Sequence, residues 1–341
     1  MMRRFAFLLL IPLAFGYTPP AAANYADHPR AQALLDTLRA DYGFDTEALD
    51  AVRQSLAEAR RLPELIQQER NAPERTRTWT EYRAMHISEA MIDKGVRFLR
   101  EHAETLARAQ AQYGVPPEVI VAILGIETRY GGYTGRTRVL DALATQGFDH
   151  PSRTPFFFSE LTAFFVLAHE SGMDPTKPKG SYAGAMGWAQ FMPSNIRRLA
   201  VDFNDDGTVD LWTPEDAIGS IARYLIDYDP ASAWRPDEAM TLAPRRFEVR
   251  ADAITFNPKR PNSTIAALAR LGAEPTRSAP PEQPAGLLEL ERSEGRSFLI
   301  ALPNFFSVMR YNPRTYYAMA VGELAEGISR ATGHPPGRYM P

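Results

Sequence analysis

VPPEVIVAILGIETRY, Val115 to Tyr130, is the stretch from which the rest of the chain can be read. Pro116 and Pro117 suit the first turn of a helix, where no N–H is needed. Val119, Ala122, Ile123 and Ile126 recur at helical spacing and predict one apolar stripe. Glu127 stands four residues after Ile123 at the edge of that stripe, and Gly131 and Gly132 stop the helix just beyond it. Desolvation by the apolar face and the negative end of the helix dipole both disfavour a charge there. Together they push the carboxyl towards the range useful to a general acid, roughly 6–7. The competing reading is a surface Glu paired with Arg129 or another nearby Arg.

Around that helix the composition is that of an ordinary globular chain: 341 residues, 45% hydrophobic and 23% charged, long enough for about two domains. A net charge of -3 gives no basic surplus that would point to nucleic acid or an anionic membrane. Met1 to Ala23 reads as a secretory signal. It has Arg3 and Arg4 at its start, an apolar run from Phe5 to Phe15, and Ala21-Ala22-Ala23 as the cleavage site. That run is too short to span a bilayer core of ~30 Å as a helix. With no cysteine, neither a disulfide framework nor a lipid-modified cysteine is available, and the expectation is a free periplasmic protein.

The segment from His28 to Ala111 is helical in pattern, with Asp45 as a cap and a long helix from about Ser88 to Tyr113. Residues 139–145 and 156–169 predict two more helices. His169-Glu170 lacks the second His of H-E-x-x-H, and no zinc site is evident. GSYAGAMGWAQFMPSN, Gly180 to Asn195, carries no charge. Its glycines permit tight turns, Tyr182, Trp188 and Phe191 offer faces for stacking, and Ser181 and Gln190 offer neutral hydrogen bonds. That mixture suits uncharged sugar rings better than phosphate; a packing loop between helices is the plainer alternative. G-x-S-x-G and P-loop patterns are both absent.

DFNDDGTVDLWTPED follows, in which Asp202, Asn204, Asp206, Gly207, Thr208 and Asp210 fit a calcium loop. Thr213 stands where the bidentate Glu belongs, and a loop three residues longer brings in Asp216. A metal-free Asx–Gly turn is the alternative. Between residues 231 and 284 proline becomes frequent, and short strands are expected at 247–256, 287–290 and 297–302, the last two as a hairpin. Residues 304–325 return to helix, and His334 to Pro341 read as a loose tail.

This order of motifs closely resembles the membrane-bound lytic transglycosylase B family of murein-cleaving enzymes, over most of the chain after residue 23. The resemblance implies a mainly α (α+β) fold: a lysozyme-like helical core, an added helical domain and a small inserted β subdomain. Mapped onto the chain, these are an N-terminal helical domain at 24–106, the core at 107–230 and the β subdomain at 231–302, with 303–341 returning to the core. GIETRYGG then places the family's catalytic Glu on Glu127. Substrate contacts fall on Tyr82, Arg153, Ser181, Gln190, Phe191, Tyr224, Tyr311, Asn312 and Tyr317. Where the family often has two adjacent arginines, this chain has Ser152-Arg153. An extended calcium loop falls on Asp202, Asn204, Asp206, Thr208 and Asp216, making Ca2+ structural, with no cofactor needed for the chemistry. The implied reaction is non-hydrolytic cleavage between N-acetylmuramic acid and N-acetylglucosamine in peptidoglycan, leaving a 1,6-anhydro end. A hydrolytic muramidase and a non-catalytic murein-binding scaffold are the rival readings. The expected partners are glycan strands and other cell-wall enzymes, not nucleic acid, and a monomer suits a cleft that admits a polymer.

Overall fold

The computed structural model of the chain describes residues 24–71 and 76–341; the expected export signal, Met1 to Ala23, lies outside the described residues. Helices α1 (Ala31–Tyr42) and α2 (Thr46–Glu58) open the fold. Gly43 ends α1 at φ 72°, and Asp45 caps α2 by accepting from Ala48 N at 2.8 Å. Next come α3 (Glu64–Arg70) and α4 (Trp79–His86), the latter entered through a capping box between Thr78 and Glu81. The single long helix expected at 88–113 is two, α5 (Glu89–Glu101) and α6 (Ala103–Tyr113), which meet at His102. No proline or glycine breaks the pattern there. The His102 ring instead packs 4.3 Å from Phe98 and its Nδ1 lies 3.7 Å from Glu215, contacts that local periodicity cannot show.

α7 (Pro117–Thr128) is the centre of the molecule. The expected one-sided stripe is in fact apolar all round, with every residue from Val119 to Leu124 at 0% exposure. It is enclosed by α5, α6, α11 (Pro214–Asp227) and α14 (Thr315–Ala331). A second apolar cluster joins α1 and α2 to α8 (Val139–Asp149) and α9 (Thr154–Ser171) through Leu34, Leu38, Leu49, Leu143, Phe157 and Phe164. The apolar clusters therefore interleave along the sequence, so a cut at residue 106 does not separate one core from another.

A short antiparallel ladder pairs β1 (Thr137–Arg138) with β2 (Lys179–Gly180). α10 (Pro193–Leu199) leads into the loop before α11. The small sheet region holds β3 (Thr241–Leu242), β4 (Pro244–Phe247), β5 (Ser263–Thr264), α12 (Ile265–Arg270), β6 (Ala273–Pro275), β7 (Pro284–Glu291) and β8 (Arg296–Ala301). Its main sheet has the order β3-β8-β7-β5, with β4 and β6 paired separately. The expected hairpin is β7–β8, in register from Gly286↔Ala301 to Glu291↔Arg296. Of the strand expected at 247–256 only Phe247 lies in a strand. Arg250 to Ala253 turn, and Ile254 and Phe256 pack their side chains on the β-region core from a loop.

The helix expected over 304–325 divides into α13 (Pro303–Tyr311) and α14, because Pro313 has no N–H to give and holds Asn312 extended at φ -139°, ψ 117°. The tail is not loose. Tyr339 and Met340 are buried, Glu326 accepts from Tyr339 N at 2.9 Å, and Arg338 reaches Glu118 at the start of α7 at 2.8 Å. Among the described residues no helix is long and apolar enough to cross a membrane.

Candidate active site

Three consecutive left-handed residues end α7: Arg129 at φ 54°, Tyr130 at φ 60° and Gly131 at φ 72°. Such strain persists only where surrounding contacts hold it. Here the amides of Arg129 and Tyr130 return to Gly125 O and Leu124 O, and Tyr130 Oη donates to Met91 O at 3.0 Å. Gly131 is needed because a Cβ there would lie 2.2 Å from the Trp188 indole. The sharp turn leaves Glu127, one residue before the helix end, half-buried on the wall of a groove of about 890 Å3. Ser181, Tyr182 and Gln190 line the same groove.

Behind Glu127 stands Tyr317 of α14, whose Oη donates to Glu127 Oε1 at 2.5 Å. Burial, and then the Glu127 charge, push the Tyr317 and Tyr311 phenols far above their usual range, so both stay protonated donors. The Tyr311 and Tyr317 rings are nearly parallel with centroids 6.4 Å apart. Tyr311 Oη donates to Ala189 O, and Tyr224 Oη donates to Arg310 O at 2.7 Å. Phe191 packs 5.3 Å from Tyr224, while Tyr82 packs among Trp79, His86 and Tyr316. Tyr82, Phe191, Tyr224 and Tyr317 are each at most 3% exposed, so these expected contacts form the packed backing of the site. Asn312 is half-buried at the α13–α14 break. Arg153 lies apart from the groove lining, its guanidinium 4.8 Å from the Phe156 ring and 4.9 Å from Phe157.

The uncharged segment is folded as tightly as its glycines suggest. Gly180 has room for no Cβ against Ala185 O, and Gly184 turns at φ 88° against Leu143. Ser181 Oγ accepts from Ala185 N at 3.0 Å and Ala183 N at 3.3 Å, which leaves its O–H to donate to a ligand. Gln190 sits at φ 49° and gives its amide hydrogens to Gly187 O at 2.8 Å and Thr134 O at 3.1 Å, leaving Oε1 as an acceptor. Backbone Trp188 N donates to Leu211 O at 2.7 Å, tying the segment to the acidic loop.

In that loop Asp202 accepts from Gly207 N at 2.7 Å and Asp206 N at 3.1 Å, and Asp206 accepts from Thr208 N at 2.8 Å. Asn204 Oδ1 also accepts from Asp206 N, at 3.1 Å. Asp216 is fully buried and closes the loop from α11, accepting from Phe203 N and Asp210 N, each at 2.7 Å. Burial raises its carboxyl despite these hydrogen bonds, and the Asp202 charge adds to the rise. Among the described residues no three His, Cys, Asp or Glu side chains are gathered as they would be around a metal. The donor set is nonetheless all oxygen, with no Lys or Arg paired to Asp202, Asp206 or Asp216 among the described residues, and that chemistry fits a hard cation such as Ca2+.

Residues 26–326 match the family described as Transglycosylase SLT domain. The chain belongs to that family. Membrane-bound lytic murein transglycosylase B of Escherichia coli (strain K12) is 37% identical over 323 residues, covering 90% of this chain and 85% of the relative. The structure of lytic transglycosylase SltB1 from Pseudomonas aeruginosa superposes with a TM-score of 0.81 at 38% identity, covering 91% of this chain and all of that one. Escherichia coli lytic transglycosylase Slt35 gives 0.79 at 38% in its complex with bulgecin A and 0.78 at 37% in its complex with calcium, covering 90% of this chain and 95% of that one in each case. This SLT-domain transglycosylase thus has the lysozyme-like fold and the lytic murein transglycosylase activity that its motifs implied. Its groove also holds residues the sequence reading passed over: Tyr133, Arg136 and Lys179. GGYTGRTR has the local pattern of a glycine-rich loop, and nothing in it signals that it pairs with a strand forty residues later.

Proposed function

We propose that Glu127 carries out both proton transfers of the lytic reaction. The observation that carries this is the Tyr317 hydrogen bond to Oε1 inside the groove, which fixes the carboxyl where a bound glycan would lie. Protonated Glu127 donates to the departing glycosidic oxygen, and the carboxylate then takes the proton from the sugar's own 6-hydroxyl as that oxygen attacks the anomeric carbon. No water is activated, so the second carboxylate of an ordinary glycosidase is not required. The nearby Asp141 supports this, because it is engaged by Arg138 at 2.5 Å and by Arg60 N at 2.9 Å. The substrate's N-acetyl group stabilises the cationic intermediate. Ser181 and Gln190 bind neutral groups of the sugars, while Tyr82, Phe191, Tyr224, Tyr311, Asn312 and Tyr317 shape and orient the wall.

The loop from Asp202 to Asp216 is assigned as a structural calcium site, with side chains of Asp202, Asn204, Asp206 and Asp216 and the Thr208 carbonyl as its oxygens. Bound calcium supplies rigidity there and no chemistry. Peptidoglycan as substrate and the leader-like pattern of Met1 to Ala23 support a periplasmic enzyme that acts as a monomer on glycan strands. The test of the catalytic assignment is Glu127→Gln. Binding to purified sacculi is retained, while release of soluble fragments falls by ~10²–10⁴, the usual contribution of a general acid–base group. Fragment release near the wild-type rate would remove Glu127 from this role.

A further inference from the structure

Lys179 stands directly opposite Arg138 in the β1–β2 ladder. Like charges facing each other across a ladder destabilise it. Arg138 is relieved by Asp141 at 2.5 Å and also donates to Glu58 O at 2.7 Å. Lys179 has no ion-pair partner among the described residues, nor does Arg136 beside the ladder, whose guanidinium lies 5.9 Å from the exposed Tyr133 ring. Both cations are exposed and line the groove that holds Glu127.

Their backbone is nevertheless rigidly mounted. Gly135 turns at φ 97°, where a Cβ would lie 2.0 Å from Gly180 O, and a Cβ on Gly180 would lie 2.1 Å from Ala185 O. Thr134 O is held by the Gln190 side chain at 3.1 Å. A fold that keeps two cations unneutralised on and beside a fixed ladder, with Lys179 facing Arg138, breaks a local rule in the groove that holds Glu127. Arg153, by contrast, lies over Phe156 and Phe157 and outside the groove lining.

We infer that Arg136 and Lys179 form a carboxylate-binding subsite on the wall of the Glu127 groove, reading the acid groups borne by the muramoyl unit of the substrate. Those groups are the carboxylates of the attached peptide or, where the peptide has been removed, the free lactyl carboxylate. The assignment rests on the reading that this groove is the substrate cleft. Arg136 supplies a planar fork and Lys179 a point charge, a pair that binds a carboxylate more strongly than a neutral sugar hydroxyl.

The experiment compares wild type with R136Q/K179Q on three soluble glycan preparations. These are peptide-bearing chains, the same chains stripped of peptide by an amidase, and peptide-bearing chains whose carboxylates have been converted to amides. On carboxylate-bearing chains the double variant raises KM about tenfold with kcat little changed, and the effect shrinks as salt is raised, because exposed charge contacts are screened. On the amidated chains wild type itself loses that advantage, and the two proteins converge. A penalty on peptide-bearing chains alone assigns the stem carboxylates, and a penalty that includes stripped chains assigns the lactyl carboxylate. R136K/K179R, which keeps both charges, restores most of the affinity. Equal penalties on all three preparations, or no penalty on any, overturn the subsite. Glu127→Gln assayed on the same chains separates the two readings: it abolishes turnover on all three, whereas full turnover would remove the cleft reading itself.

Discussion

Replacing Tyr317 by Phe removes one oxygen and tests how Glu127 is held. The ring is 2% exposed and lies nearly parallel to Tyr311, so Phe fills the same space and the packing of α14 on α7 is kept. What is lost is the 2.5 Å donation to Glu127 Oε1. A hydrogen bond to a charged group contributes about 1.5–3 kcal/mol, which corresponds to roughly 10- to 150-fold in rate if all of it acts in the transition state. Glu127 is half-buried and water can replace the donor in the resting enzyme, so the cost to folding is smaller, about 1 kcal/mol or less. The assay is initial release of soluble fragments from murein over a range of substrate concentrations, beside a thermal melt. The expected result is a fall of that size in kcat, a small change in KM and a nearly unchanged melt. Unchanged kcat in a folded Y317F protein, or a loss confined to KM, would refute the positioning role. Tyr311→Phe is the comparison: its hydroxyl serves Ala189 O rather than the carboxylate, so its effect on kcat is smaller.

Gly131→Ala meets both a left-handed backbone at φ 72° and the Trp188 indole at 2.2 Å, and costs about 2–4 kcal/mol, whereas Gly132→Ala meets nothing nearer than Arg129 O at 3.3 Å and costs under about 1 kcal/mol. Chemical denaturation of the two variants checks the contrast, and equal losses would contradict it. Glu160 is buried on α9, its carboxyl raised by burial against two hydrogen bonds from Ser194. With the folded-state value above the unfolded one, the native state holds this proton more tightly. That stabilisation is complete below the unfolded value and is lost as pH rises through the folded one. Glu160→Gln therefore gains on wild type in melting temperature as pH is raised from about 4 to about 7; a difference that stays flat or runs the other way would disprove it. Calcium at about 100 times its Kd adds about 2.7 kcal/mol to the stability of wild type. Asp206→Ala removes that gain in a thermal melt, and a gain that survives the substitution would place the cation elsewhere.

How legible the molecule was depended on how local each cause is. The Pro116-Pro117 start of the Glu127 helix, the Asp45 cap and the β7–β8 hairpin follow from neighbours a few residues apart, and all are present; the helix ends shortly after Glu127 as expected, but at left-handed Arg129 and Tyr130, ahead of the glycine pair. The break at Pro313 was equally local, and its chemistry was on view in Asn312-Pro313. Other features were set at a distance. His102 bends the chain through Phe98 and Glu215. The tail is fastened by Glu118, 220 residues before Arg338, and by Glu326, 13 residues before Tyr339. Tyr317 came from the family resemblance; its position among the apolar residues of α14 says core, and only the fold reveals that its hydroxyl meets Glu127. Arg136 and Lys179 share a groove because two-residue strands pair across forty residues, a pattern too short to read in advance.

In the proposed mechanism one carboxyl, Glu127, drives an intramolecular cleavage without water. Mass spectrometry of the soluble products released from purified murein tests it directly, with wild type and Glu127→Gln side by side. The account predicts fragments ending in 1,6-anhydro sugar from wild type, one water lighter than hydrolysis products, and none from the variant. Reducing ends from wild type, or anhydro ends from Glu127→Gln at a comparable rate, would contradict it.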